Sequence, residues 1–419
     1  MRAEVISIGD EITTGQRLDT NSQWLSQQLT LLGCEVAFHT TVGDELEDNI
    51  AVLCVAIERV EVVVITGGLG PTADDLTREA IAAATGTTLV RDAASLAHIE
   101  HLYASRGREM PERNQVQADF PEGSRPIPNF HGTAPGVEML VPRTGREPCA
   151  LFALPGVPVE MHEMWSHTVA ERISQLQHEL TVIRHRRIKC FGLGESQLEA
   201  MLPDLIRRGR EPKVGITVSD ATITLRITAT ADREEHCYAL MEPTIEVIRQ
   251  SLGIVVFGEE DDELEHVVLR LLKERGKTLA VAEWATAGRI SEWLTAVDQH
   301  ANHFVGGMTI RDRAELDSLV ESTNVAADAE DCDATVACAM AEEVRHRLRA
   351  DYGLAVAAYP TDPYQADSHV CVALASAERT HKWRFGCASH PAILQARSAK
   401  QALNALRLEL LKDARDDAS

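Results

Sequence analysis

Four consecutive β-branched residues, Val62-Val63-Val64-Ile65, run straight into Thr66-Gly-Gly-Leu-Gly-Pro-Thr-Ala-Asp-Asp-Leu-Thr77, and an amphipathic segment begins at about Thr77. A fully apolar strand that turns through glycines into a helix leaves few architectures open. The surrounding sequence repeats the alternation. Short β-branched runs at Val5–Ile8 and Val36–Thr41 are separated by helical patterns at Ser22–Leu32 and Leu46–Arg59. Such alternation predicts a parallel sheet covered by helices on both faces. A helix at about Ala94–Ser105, a Pro/Gly/Asn-rich loop at Pro121–Gly136, a strand at Ala150–Leu154 and a helix from about Val157 complete a first domain, 1–175.

The 419 residues exceed one ordinary domain, and the remaining pattern supplies two more. In 176–258, strand Ile183–Phe191, helix Glu195–Ile206, a hairpin of Lys213–Val218 and Thr222–Ala229, helix Glu234–Ser251 and strand Ile254–Phe257 describe a small α+β domain. In 259–419, Leu264–Arg275, Thr278–Ala282, Phe304–Thr309, Asp333–Arg349, Leu354–Ala358, His369–Ala375 and Pro391–Leu411 describe a further α/β domain. No tandem repeat interrupts them. Lys and Arg total 41 against 64 Asp and Glu, and a net charge of −23 repels a polyphosphate backbone, so nucleic acid is not the expected ligand. Apolar runs are strand-length and no signal core opens the chain, so neither a membrane span nor export is expected and the location reads as cytoplasmic. Nine cysteines form no Cys-x-x-Cys pair, and the odd number argues against a full disulfide set; several, such as Cys54 in Val52-Leu-Cys-Val55, read as buried thiols.

The chemistry is expected on the loops of the first domain. Glycines 67, 68 and 70 remove Cβ atoms where backbone N–H groups can approach a phosphate, and the following helix adds the positive end of its dipole. The spacing fits neither a Walker loop nor a dinucleotide fingerprint. Asp74 and Asp75 have the chemistry to hold a hard divalent cation of the magnesium type, while the alternative for Asp75 is an N-cap on the helix at Thr77. Gly9-Asp10-Glu11 follows the first strand and should open on the same carboxyl edge of the sheet. Clustered carboxylates at a phosphate site make sense only with a metal. Asp19-Thr20-Asn21-Ser22 reads as an N-cap cluster or as substrate contacts through Thr20 or Asn21, and the 128–136 loop as a source of backbone donors or as a rigid connection.

These motifs together resemble the CinA family of competence/damage-inducible proteins. The resemblance rests on Ile8-Gly-Asp-Glu-Ile with Gly15-Gln and Asp19-Thr-Asn-Ser, Thr66–Thr77, Asn129 with Gly132-Thr-Ala-Pro-Gly136, Pro155-Gly-Val-Pro158, and Phe191-Gly-Leu-Gly-Glu-Ser196. It implies an α/β fold with a three-layer molybdopterin-binding-like N-terminal domain, a small α+β middle domain and an α/β C-terminal CinA-type domain. It further implies metal-dependent ADP-ribose pyrophosphatase activity in the first domain, nicotinamide mononucleotide amidohydrolase activity in the last, and a homodimer. Carried onto this chain, catalysis falls on Asp10, Asp74 and Asp75, with Asp10 and Asp74 as metal ligands. Substrate phosphates fall to Gly67, Gly68, Gly70 and Thr72, with Thr20, Asn21, Gly132 and Thr133 as further contacts. One departure touches this site, since Val116 stands before Gln117 where the family usually has lysine.

The C-terminal domain departs more. Where the family reads Ala-Glu-Ser-Cys-Thr-Gly-Gly, this chain reads Ala282-Glu-Trp-Ala-Thr-Ala-Gly288, with Trp284 in place of the nucleophilic serine. Indole has no nucleophilic oxygen. In the next motif Arg311, Arg313 and Leu316 replace tyrosine, asparagine and lysine, and the glycine-rich segment becomes Ala355-Val-Ala-Ala-Tyr-Pro-Thr-Asp362. The expectation is a hydrolase of the pyrophosphate of ADP-ribose or a related dinucleotide with an inactive amidohydrolase domain. The alternatives are a non-catalytic pterin- or nucleotide-binding module and a residual amidohydrolase. A pocket lined by Trp284, Arg311 and Arg313 is a further possibility for the last domain.

Overall fold

The computed structural model describes residues 1–177, 182–207, 209–320, 330, 332–387 and 390–416. By compactness the chain divides into Met1–Arg184 with Ala229–Leu240, and His185–Thr228 with Met241–Ser419.

The first unit opens with β1 (Arg2–Ile8), α1 (Asp10–Thr13), α2 (Thr20–Leu31), β2 (Glu35–Val42), α3 (Leu46–Arg59), β3 (Val62–Thr66) and α4 (Thr77–Thr85). It continues through β4 (Leu89–Arg91), α5 (Ala93–Ser105), β5 (Asp119–Pro121), β6 (Arg125–Ile127), β7 (Gly136–Arg143), β8 (Arg146–Leu154), α6 (Pro158–Met164) and α7 (Ala170–Leu176). The main sheet has the order β2-β1-β3-β8-β7-β6. Its strands β2, β1, β3 and β8 are parallel, whereas β7 runs antiparallel between β8 and β6, so the sheet is mixed rather than wholly parallel. The loop expected at Pro121–Gly136 contains β6, and β7 lies just beyond it. Both escaped a reading that gave weight to the prolines and glycines there.

Period-2 alternation along the central strand builds three layers. Val62 and Val64 pack with Leu25, Leu29 and Trp165 on one face, and Val63 and Ile65 pack with Leu53, Ala80 and Ile81 on the other. All five residues of β3 are buried. Burying a side chain of this size contributes about 1.5–3 kcal/mol, so the strand that carries the glycine loop is among the most firmly held elements of the unit. Helical periodicity also decides the cysteines. Leu53 is buried while Cys54, one position on, is exposed, contrary to its expected burial. All nine cysteines are free.

The remaining elements begin with β9 (Val182–Cys190), α8 (Glu195–Met201), β10 (Lys213–Ser219), β11 (Thr222–Ala231), α9 (Glu234–Leu252) and β12 (Val256–Glu259). They form a sheet of order β10-β11-β9-β12. The expected hairpin joins β10 to β11, and its tight turn places Asp220 and Ala221 at φ 47 and 62. There follow α10 (Leu264–Arg275), β13 (Leu279–Glu283), α11 (Arg289–Val297), β14 (Phe304–Thr309), α12 (Arg313–Leu319), α13 (Ala334–Arg347), β15 (Tyr352–Val356), β16 (His369–Ala375), β17 (Thr380–Gly386) and α14 (Pro391–Asp416). Their sheet has the order β14-β13-β15-β16-β17, parallel across its first three strands and antiparallel beyond. Helices α11 and α12 and strand β17 lay outside the sequence expectation. Among the described residues no helix is long and apolar enough to cross a membrane.

Candidate functional site

The parallel register Ser7↔Thr66 between β1 and β3 brings the two loops that follow these strands to one edge of the sheet. Between them opens a cleft of about 510 Å³, lined among others by Gly9, Asp44, Gly68, Asp74, Thr133 and Glu160. The glycines are there for space. Gly67 has φ 107, and a Cβ on it would lie 2.3 Å from the Ile8 carbonyl oxygen. Gly68 has φ 64, and a Cβ on it would lie 2.3 Å from Thr77 Oγ1.

Four successive carbonyls of this loop are drawn toward α4 and its surroundings. Thr77 Oγ1 donates to Gly67 O at 2.8 Å and the Thr77 N–H to Gly68 O at 3.2 Å. Arg78 Nη1 donates to Leu69 O and Nη2 to Gly70 O, each at 2.9 Å. Gln117 Nε2 adds a long bond to Leu69 O at 3.5 Å, and Gln117 Oε1 accepts from Asn114 Nδ2 at 2.9 Å. With the carbonyls occupied, the N–H groups of Gly68, Leu69 and Gly70 have no protein acceptor among the described residues. Successive unpaired N–H groups form an anion-binding concavity. Arg78 is 1% exposed, and burial lowers its pKa against the pull of Glu79, Asp75 and Asp119. Sequence reading missed it because a charged residue at the second position of a helix normally points to solvent. Only the burial of α4 along Arg78, Ala80, Ile81 and Ala82 places it inside.

Acids also line the cleft or touch those that do. Asp10 and Asp44 hold each other reciprocally: the Asp10 N–H donates to Asp44 Oδ2 at 3.0 Å, and the Asp44 N–H to Asp10 Oδ1 at 3.2 Å. Burial raises the Asp44 carboxyl above the usual range, and the charges of Asp10, Asp74 and Glu11 raise it further against the Asp10 N–H bond. Asp74 is fully exposed, and the neighbouring Thr72 side chain lowers its pKa. Asp44 follows β2 on the carboxyl edge, where the topology rule that singled out Gly9-Asp10 would also have found it.

Several expected contacts have other work. Asp75 accepts from the Thr72 N–H at 2.9 Å and from the Thr72 hydroxyl, bracing the turn. It does not cap α4, whose N-cap residue is Leu76, with no side-chain bond. The Thr72 hydroxyl and N–H are thereby engaged. The Gly67 N–H donates to Leu154 O at 3.0 Å, extending the sheet, and the Gly132 N–H to Asn129 Oδ1 at 2.8 Å. Asn21 Nδ2 bridges Thr66 Oγ1 at 3.0 Å and Gly156 O at 2.9 Å, tying α2 to the ends of two strands. Thr20 lines a small pocket beside the cleft together with Arg17, Asn21 and Gly156. Thr133 faces the main cleft.

The equivalent loop of the C-terminal region is closed. Glu283, at the end of β13 and fully buried, accepts from Thr286 Oγ1 at 2.6 Å, Ile290 N at 3.0 Å and both the N–H and hydroxyl of Ser291, at 2.8 and 2.6 Å. This folds the loop onto the start of α11. Trp284 packs half-buried against a cluster that includes Ile310 and the fully buried Leu316. Arg313 Nε is bonded to Asp317 Oδ1 at 2.8 Å, and Arg311 is exposed with its N–H on Glu315 Oε2 at 2.7 Å. An arginine ion-paired on its own helix is not poised to share an anion with its neighbour.

Comparison with known proteins covers nearly the whole chain. Residues 4–175 match the family described as a probable molybdopterin binding domain, 185–258 the damage-inducible protein CinA KH domain, and 261–410 the CinA C-terminal domain. A putative competence-damage inducible protein of Desulforamulus reducens is 36% identical over 364 residues, 85% of each chain. A CinA-like protein of Picosynechococcus is 35% identical over 425 residues, spanning 99% of this chain and all of the relative. Among solved structures, CinA of Thermoplasma acidophilum is 34% identical, with 41% of this chain and 97% of that one covered and a TM-score of 0.37.

Proposed function

The chain belongs to the CinA family, and from that premise we propose that its N-terminal cleft binds the pyrophosphate of ADP-ribose or a related dinucleotide and hydrolyses it with a divalent ion. The observation that carries this reading is the juxtaposition of three free backbone N–H groups, at Gly68, Leu69 and Gly70, with the acids Asp44 and Asp74 in the lining of one cleft and Asp10 bonded to Asp44 behind them. The N–H groups, backed by the buried Arg78 guanidinium, seat phosphate oxygens. Hydrolysis adds one water across the phosphoanhydride, with oxygen attacking one phosphorus and the bridging P–O bond breaking to leave AMP and ribose 5-phosphate.

The acids fit a magnesium-type ion in chemistry. They are hard oxygen donors, and Asp44, raised first by burial, also feels the charges of Asp10, Asp74 and Glu11. Asp10 and Asp74 are the residues that would hold it, with Asp44 beside them. Among the described residues no three such side chains converge to hold a metal by themselves, so an ion there would need ligands from water or substrate. Such an ion supplies charge neutralisation at phosphate oxygens and lowers the pKa of bound water. A second reading, in which the cleft binds a nucleotide or pterin phosphate without turning it over, is favoured by Val116, which leaves no charge before Gln117 where the family usually has lysine. For the C-terminal region we propose a scaffold without amidohydrolase activity, because Trp284 and Leu316 fill an apolar cluster where the family's chemistry needs serine and lysine.

The test measures AMP release from ADP-ribose with and without magnesium beside ammonia release from nicotinamide mononucleotide, for the wild type and Asp74→Ala. The expected result is magnesium-dependent AMP release that falls about 100-fold or more in the variant, with no ammonia. Binding without turnover replaces the hydrolase reading by the binding module, and ammonia overturns the assignment of the C-terminal region.

A further inference from the structure

Helix α2 carries a tryptophan on a face that amphipathic patterning would leave polar. Thr20, Gln23, Trp24 and Gln27 stand at i, i+3, i+4 and i+7 and so share one side of the helix. Gln23 and Gln27 are exposed and Trp24 is half-buried. Its indole is held in a fixed orientation. His162 of α6 stacks on it with ring centroids 3.9 Å apart and planes 24° from parallel, and the buried Trp165 meets it edge-on at 6.0 Å and 80°. The pair lines a cavity of about 270 Å³ whose other walls include Gln23, Gln27 and Pro158.

This cavity adjoins the phosphate cleft and shares lining residues with it. Thr20 and Asn21 line both it and the small pocket that reaches Gly67 and Gly156, and Pro158 lines both it and the main cleft. A rigid aromatic shelf, flanked by amides that both donate and accept and joined to an anion seat, has the chemistry of a nucleobase site. We propose that Trp24 and His162 form the seat for the base of a nucleotide whose phosphates occupy the glycine cleft, with Gln23 and Gln27 facing the base edge. The assignment rests on the reading of the cleft as a phosphate site and extends it from the phosphates to the base. It makes the ligand a nucleotide rather than a bare phosphate ester.

Trp24 also packs against its neighbours, so the test must separate stacking from folding. Calorimetric titration of the full chain with AMP and with ribose 5-phosphate, in magnesium, compares ligands with and without a base. The wild type is expected to favour AMP by about 10-fold or more. Trp24→Ala is expected to abolish that preference while leaving ribose 5-phosphate binding unchanged, and Trp24→Phe to restore most of it. Equal affinity of the wild type for the two ligands overturns the proposal, as does a Trp24→Ala variant that weakens both ligands alike or keeps the preference. A Trp24-dependent preference without hydrolysis of ADP-ribose would sink the hydrolase reading alone. Hydrolysis with no such preference would sink the base seat alone, and failure of both ligands to bind would end both.

Discussion

The loops after β3 and β13 occupy equivalent positions in their own units, each leaving a buried central strand and entering a helix, yet one is open and the other shut. After β3, glycines 67, 68 and 70 keep side chains out of the turn, and buried partners at 77, 78 and 117 hold its carbonyls, so its N–H groups remain available. After β13, a buried glutamate draws hydroxyl and N–H donors inward, and the loop's own indole packs against an apolar cluster. A strand–loop–helix step therefore supplies only a location. Whether that location binds anything depends on which backbone groups the surrounding side chains leave unspent.

The sharpest way to break this contrast is Arg78→Met. It removes the donors to Leu69 O and Gly70 O from a buried site, and the expected cost is about 2–4 kcal/mol in urea unfolding together with loss of AMP release. Arg78→Lys should recover part of the stability. Full activity in the methionine variant would show that the carbonyl anchors are irrelevant to the cleft. Opening the shut loop with Trp284→Ser is expected to cost about 1–3 kcal/mol, because it leaves a void beside Leu316, and to produce no ammonia from nicotinamide mononucleotide. Ammonia from this single variant would mean that the remaining groups are still arranged for acyl transfer. The smallest effect is expected from Val116→Lys, at an exposed position beside Gln117. Added positive charge near the loop should lower KM for ADP-ribose by a few-fold at low salt and progressively less as salt rises, since exposed charges are screened. An unchanged KM at low salt would show that the departure at 116 does not reach the substrate.

Much of this architecture was legible in order along the chain. Strands Val62–Thr66, Phe304–Thr309 and His369–Ala375 and helices Leu46–Arg59 and Leu264–Arg275 have the bounds that their periodicity predicts, because their apolar faces have one place to go. β17 alternates around Lys382, Trp383, Arg384 and Phe385 at a sheet edge, where charge hides the strand signal. The site was legible as a set of loops and much less as a set of contacts. Thr72, Asp75, Gly132 and Asn21 are residue types that bind phosphates or metals elsewhere, but here they satisfy the backbone and one another. Arg78 carried no local signal of its own, whereas Asp44, just after the strand at Val36–Thr41, lay within reach of the rule that found Asp10.

What followed from the chain alone was therefore the alternation of strands and helices, the edge of the sheet on which the glycine and aspartate loops open, and the family to which the motifs point. Those depend on periodicity, chirality and the conformational freedom of glycine, which are local properties of the polypeptide. The folded molecule settled which hydrogen-bonding groups are spent and which remain: the anchoring of four carbonyls by Thr77, Arg78 and Gln117, the mutual hold of Asp10 and Asp44, and the donors of the second loop taken up by Glu283. Availability is a property of pairs, and the partners lie as far apart in sequence as Leu69 and Gln117, so no window along the chain contains both.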